Sequence, residues 1–431
     1  MGKKGLQISW ERAEVVLKKR VLLLANNPLS DSNSNGRTLK NFFSSGDREH
    51  LAQIYIQGTP DFEACARFFR VSDGEVLRAF FRHCPAGGEV TEAPEVSTAP
   101  QGPKGPRKTP FTLLLRNFFW SRRGWRRTVS AWIDEVAPEA VLLQAGDSPF
   151  LYRWAVAIAR ERGIPLVIYN SEDYYFKRYD YTRSRGLVKL FYPIFSRCLR
   201  RAVREAMDAA AISVYISEDL KNTYDREFGK PGEYIYTATE VIPQCGGRPE
   251  GVFSYLGNLG VGRHKSLVKI AEALAKIDPT YRLDIYGKLP NEEVGRSFDA
   301  CFSLRYRGLV DYSAVRRIMG ESTLLFHAES FEEFYCRDIR HGFSTKIADS
   351  LASGTPFVIF APSELSCTKY LKEKACACVI DNEADLEAKL REVIESRELR
   401  ESLVERALAV AKENHNAEKN REKMARILNE L

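Results

Sequence analysis

A chain of 431 residues, 44% hydrophobic and 28% charged, is globular and too long for one ordinary core, so two domains are expected. The formal net charge of +7 is uneven: residues 1–240 hold 36 Lys and Arg against 28 Asp and Glu, residues 241–431 hold 28 against 29, and residues 104–207 alone hold 20 against 9. That distribution sets one half of the chain to face an anionic partner.

Nothing reads as a membrane span, because "AVLLQAGDSPFLYRWAVAIA" is broken by Asp147 and Arg153, and "GLVKLFYPIF" by Lys189. Neither supplies the roughly 20 apolar residues a bilayer requires. The basic start is followed only by "VLLLA", which does not read as a secretory leader. Nine cysteines, an odd number with no C-x-x-C, fit reduced thiols. A cytoplasmic protein is expected.

In chain order, short aliphatic runs alternate with helical patterns. The first half has "VLLLA" (21–25), "QIYI" (53–56), "AVLLQ" (140–144), "PLVIY" (165–169) and "AISVYIS" (211–217). The second half has "VFSYLG" (252–257), "RLDIYG" (282–287), "SLRYRG" (303–308), "TLLFHA" (323–328), "PFVIF" (356–360) and "CACVI" (376–380). Continuous rather than alternating apolar runs predict strands covered on both faces, as in a parallel, doubly wound sheet. The expectation is an α/β protein of two Rossmann-like domains facing a cleft, with the first at 1–245 and the second at 246–400. Helices at 401–431 are expected to pack back on the first domain. Residues 85–110 hold six of the nineteen prolines and four glycines, which predicts a mobile insertion. A ligand is expected between the domains, outside the carboxyl ends of the strands, where helix N-termini converge.

The loop after the first strand, "NNPLSDSNSNGRTLKNFF", could hold hydroxyls or a phosphate with Asn35, Gly36 and Arg37, although an ordinary capped turn reads the same way. Further on, "KGPRKTPFTLLLRNFFWSRRGWRRTVSAW" and "YYFKRYDYTRSRGLVKLFYPIFSRCLRRAVREA" interleave aromatic residues with arginines. Helix faces packed over a core are one reading. An anionic membrane surface is the preferred one, and nucleic acid is not expected, since no recognised binding module accompanies the stretch. Between them, "QAGDSPF" and "YNSEDYY" supply the carboxylates Asp147, Glu172 and Asp173, candidates to bind a ligand's hydroxyls or to act as a base.

The second half opens with "YLGNLGVGRHKSL", which fits neither G-x-G-x-x-G nor a P-loop. Gly260 followed by Arg263 and Lys265 still suits a diphosphate, with a planar guanidinium for two oxygens and an ammonium as a point charge. The chain contains no D-x-D and no pair of histidines at ligand spacing, so neither a metal nor another cofactor is expected. Last comes "HGFSTKIADSLASGTPFVIF", a helix opened by Ser344, Thr345 and Lys346. A cation at the positive end of a helix is out of place unless its partner is a ligand.

The stretch "LLFHAESFEEFYCRDIRHGFSTKIADSLASGTPFVI" resembles the donor-binding domain of GT-B glycosyltransferases, especially family 4, with Lys346, Asp349, Ala352, Gly354 and Pro356 on that family's pattern. The resemblance implies that Lys346 and the helix start at Ser344 and Thr345 contact a donor diphosphate. It also implies that Asp349 accepts from ribose hydroxyls and that Glu329 or Glu332 binds the donor sugar. The pattern departs at His341, which stands where the first of two glutamates is usual, and Glu333 is a third candidate for the sugar. Over the first half the resemblance is one of architecture only.

The implied function is metal-independent transfer of a sugar, with retention, from a nucleotide-sugar donor to a cell-surface glycan or lipid-linked acceptor, at the cytoplasmic face of a membrane. Glu329, Lys346 and Arg263 are its candidate catalytic residues. A nucleotide-sugar 2-epimerase and a non-catalytic nucleotide-sugar-binding protein remain as alternatives.

Overall fold

The computed structural model describes residues 16–91, 108–122, 124–144, 146–241, 243 and 250–431. Most of the expected insertion, residues 92–107, lies outside the described residues. The first sheet contains β1 (Val21–Leu24), β2 (Leu51–Tyr55), β3 (Arg67–Arg70), β4 (Gly88–Val90), β5 (Ala140–Gln144), β6 (Leu166–Asn170), β7 (Ile212–Tyr215) and β8 (Glu233–Tyr234), in the order 4-3-2-1-5-6-7-8. Every pairing is parallel except β3 with β4 at the edge. The second contains β9 (Val252–Leu256), β10 (Arg282–Tyr286), β11 (Leu304–Gly308), β12 (Leu324–Ala328), β13 (Phe357–Phe360) and β14 (Cys378–Ile380), all parallel, in the order 11-10-9-12-13-14.

The continuous runs are continuous because each strand feeds two cores. Val21, Leu23, Leu142 and Val167 pack on one face of the first sheet, while Leu22, Leu24, Leu143 and Ile168 pack on the other. The second sheet divides likewise, with Phe253, Ile285, Phe326 and Phe360 on one side and Leu325, Phe357 and Ile359 on the other. That latter side joins the same apolar cluster as the first domain, through Tyr236, Phe343, Tyr370 and Ala411.

The helix Arg397–Asn414 runs through position 401 without a break and lies on the helix Thr345–Ala352. The chain crosses to the first domain only at His415, whose buried ring is 2.8 Å from the Thr237 carbonyl and 3.0 Å from the Tyr370 hydroxyl. The helix Ala417–Asn429 then packs on the first sheet. Asn420 donates to the Tyr236 carbonyl at 2.7 Å, and Met424 and Leu428 share a core with Leu17 and Val21.

Candidate active site

The loops that follow β5, β6, β9 and β12 open on a shared cavity of about 750 Å³ between the domains. Its first-domain wall includes Asn35, Lys108, Asp147, Glu172 and Asp173, and its second-domain wall includes Asn258, Arg263, Glu329, Ser344, Thr345 and Lys346. Its position at the carboxyl ends of both sheets follows from topology, since strand-to-helix loops all emerge there.

Lys346 lines this cavity and makes no hydrogen bond or ion pair with any described residue. Burial, reinforced by the nearby Arg263 charge, lowers its ammonium below the usual lysine value. Ser344 holds the N-cap position of the helix Thr345–Ala352, yet its side chain does not cap it. The positive end of that helix therefore faces the cavity beside a cation, an arrangement suited to a polyanion.

Arg263 and Glu329 satisfy one another. The guanidinium donates two bonds of 2.8 Å to the carboxylate, and His327 Nε2 lies 3.0 Å from the same group. Burial alone would raise the Glu329 carboxyl, but Arg263 and His327 outweigh it and hold it at about 2. Glu329 is thus a fixed anion, and Arg263 meets any ligand as part of a neutral pair. Cys367, also in the wall, is pushed by burial up to about 12 and is no nucleophile.

Other expected site residues fall elsewhere. Lys265 and Glu332 form an ion pair with each other at the surface, outside the cavity wall. The Gly260 amide donates to Asn258 Oδ1 at 2.8 Å, and Gly260 is likewise outside the wall. Asp349 opens on a neighbouring cavity of about 730 Å³ that also includes Arg37; Thr38 and Thr345 line both cavities. Burial raises the Asp349 carboxyl, opposed by a 2.7 Å bond from Thr239. Gly36 is accounted for by its own turn: a Cβ there would stand 2.3 Å from the Pro28 carbonyl, and its amide is already capped by Asn33 at 2.7 Å.

On the first-domain wall, Asp147 is buried and pairs with Lys108 at 3.0 Å, while Asp173 accepts from the Tyr224 hydroxyl at 3.1 Å. Glu172 stays half-exposed, 3.7 Å from Lys177. Lys108, Lys177, Asn258 and His327 were missed as site residues. Asn258 stood in the glycine-rich stretch, and His327 stands two positions before Glu329. Among the described residues, no three His, Cys, Asp or Glu side chains converge as a metal ligand set.

The cavity is held between domains by polar contacts. Asp219 of the first domain lies 2.8 Å from His341 Nδ1 and accepts a 2.5 Å bond from Ser366, both of the second domain. Arg183 reaches Asp338 at 3.0 Å and covers the Phe334 and Tyr335 rings.

Residues 263–428 match the family model described as "Glycosyl transferase-like". The fold is GT-B, and residues 263–428 carry the likeness to glycosyltransferases. Among similar solved structures, HepE of Anabaena, in complex with UDP and glucose, superposes with a TM-score of 0.63 at 11% identity, covering 96% of this chain and 100% of its own. WaaG, a glycosyltransferase involved in lipopolysaccharide biosynthesis, gives 0.56 at 13% identity, covering 95% and 99%. TarM of S. aureus, in complex with UDP and α-GlcNAc-glycerol, gives 0.53 at 12% identity; 69% of this chain spans 58% of TarM. No curated protein sequence matches the chain.

Proposed function

We propose that the chain transfers a sugar from a nucleoside-diphosphate donor to a hydroxyl of a glycan or lipid-linked acceptor, with retention, as family 4 enzymes do, and without a metal ion. The observation that carries this reading is Lys346, a cation without a hydrogen-bond or ion-pair partner among the described residues, at the uncapped positive end of a helix in an interdomain cavity. There it would hold the diphosphate and stabilise the charge that grows on it as the glycosidic bond breaks. Glu329, fixed by Arg263 and His327, would accept from sugar hydroxyls, and Asp349 would serve the ribose from the neighbouring cavity. The acceptor would enter along Asp147, Glu172 and Asp173, and the departing phosphate would take its proton. Closure of the two domains would exclude water.

The test is incubation with a panel of nucleotide sugars, with and without glycan and lipid-linked acceptors, followed by the anomeric configuration of the product. Nucleotide release with acceptor and a retained anomeric centre supports the reading. An isomerised donor without release points to an epimerase, and binding without turnover to a non-catalytic protein. An inverted product would make Asp147, Glu172 or Asp173 the base.

A further inference from the structure

Among the described residues, twelve large apolar side chains are exposed, and eight of them belong to three neighbouring segments of the first domain. Leu77 and Phe81 stand one turn apart on the helix Asp73–Arg82. Phe111, Leu115 and Phe118 follow at helical spacing on the helix Pro110–Trp120. Leu187, Leu190 and Ile194 do the same along the turn Gly186–Phe191 and into the helix Tyr192–Ala209. The segments touch: the Phe80 and Phe118 rings are 6.0 Å apart, those of Phe81 and Phe119 6.4 Å, and those of Phe111 and Phe191 5.0 Å. Together they form one apolar ridge, and exposure of 80% at Leu187 and 70% at Leu190 leaves its crest without cover.

The charge around the ridge is mainly positive; the carboxylates of the helix Asp73–Arg82 are Asp73, which pairs with Arg116 at 2.7 Å, and Glu75, which accepts from the Ser72 amide at the start of its own helix. No carboxylate occurs from Lys108 to Arg127 or from Tyr181 to Arg204, while Arg78, Arg122, Arg185, Lys189 and Arg197 are exposed on or beside the same segments. The tryptophans that the sequence offered for this surface are elsewhere, since Trp120, Trp125 and Trp132 are buried in the core. Among the described residues no helix is long and apolar enough to cross a bilayer, so such a ridge would lie in an interface rather than span it.

We infer that this ridge inserts among the lipids of an anionic membrane, with the surrounding cations on the headgroups. Two cavity walls lead directly onto it. Lys108 lines the cavity two residues before the helix Pro110–Trp120 begins, and the wall residues Tyr181 and Thr182 precede the turn that carries Leu187. A lipid-linked acceptor could therefore keep its tail in the leaflet while its sugar reached Asp147; this part rests on the transferase reading, whereas vesicle binding does not.

The experiment is sedimentation of the full chain with vesicles of phosphatidylcholine alone or mixed with phosphatidylglycerol, for the wild type and for Leu187→Ser/Leu190→Ser. Both leucines are solvent-exposed, so the variant should fold as the wild type does, checked by its Tm. The expected result is binding to the mixed vesicles that weakens about tenfold or more in the variant and falls with added salt, with nucleotide affinity unchanged. Wild type that ignores anionic vesicles, or a variant that binds as well as wild type, would overturn the inference. So would a wild-type dimer that the two serines convert to monomer, because the ridge would then be a contact between copies. Vesicle binding by a chain that transfers no sugar would leave the ridge standing and remove only the transferase reading.

Discussion

Asp219 and His341 sit 122 residues apart in sequence and meet at 2.8 Å across the two domains. Bonds from His341 first, then Ser366 and Lys369, hold the Asp219 carboxyl far below its usual range, so it stays ionised. Asp219→Asn should loosen the junction without touching either sheet. The expected outcome is faster limited proteolysis between residues 237 and 251 with the circular dichroism spectrum unchanged; an unaltered cleavage rate would deny the contact a role in holding the domains.

Lys346→Ala should lower kcat by about 30-fold to 1,000-fold, the equivalent of about 2 to 4 kcal/mol of transition-state stabilisation. The fold should survive, because the ammonium has no hydrogen bond or ion pair to lose among the described residues. Wild-type turnover at an unchanged Tm would remove Lys346 from the donor site.

Glu329→Gln should destabilise the second domain, since Arg263 would keep a buried charge without its anion. Breaking such a pair costs about 3 to 5 kcal/mol. With its carboxyl held at about 2 against an ordinary 4.5, Glu329 contributes stability that is complete above pH 4.5 and lost as pH falls towards 2. Urea unfolding measured down the acid range should show a steeper decline for wild type than for the variant.

His415 acts at milder acidity. Burial holds its imidazole at about 4 against an ordinary 6.5, so between those values the unfolded chain binds a proton that the folded chain refuses. Stability should fall as pH drops from 6.5 to 4, by roughly 3 kcal/mol in total. A His415→Gln variant, whatever its starting stability, should lose that part of the slope.

Activity should persist in excess chelator, as the missing D-x-D and the Lys346 site lead one to expect. Loss that magnesium or manganese restores would require a metal on the diphosphate.

Much of the architecture was legible because buried parallel strands write themselves as uninterrupted runs such as "VLLLA" and "AVLLQ". Strand β3, "RFFR", and the two-residue β8 were not, since flanking arginines in the one and short length in the other leave no such run. Lys346 stood out because a cation at a helix start contradicts the helix's own dipole. The pairing of Arg263 with Glu329, 66 residues away, and of Lys265 with Glu332, 67 away, was hidden. Spacing along a chain does not reveal which charges cancel each other. The basic aromatic stretch was read as one surface, whereas helical periodicity sends Trp120 inward and Phe118 outward two positions apart.

The helix Ala417–Asn429 has a consequence for the order of assembly during synthesis. Met424 and Leu428 complete a core begun by Leu17 and Val21, and Asn420 satisfies a carbonyl 184 positions earlier. The first domain thus leaves the ribosome with part of its apolar surface open, and it waits through translation of the whole second domain before the closing helix arrives. At roughly 5–20 residues per second that interval is on the order of ten seconds or more, during which the nascent first domain is a natural client for chaperones.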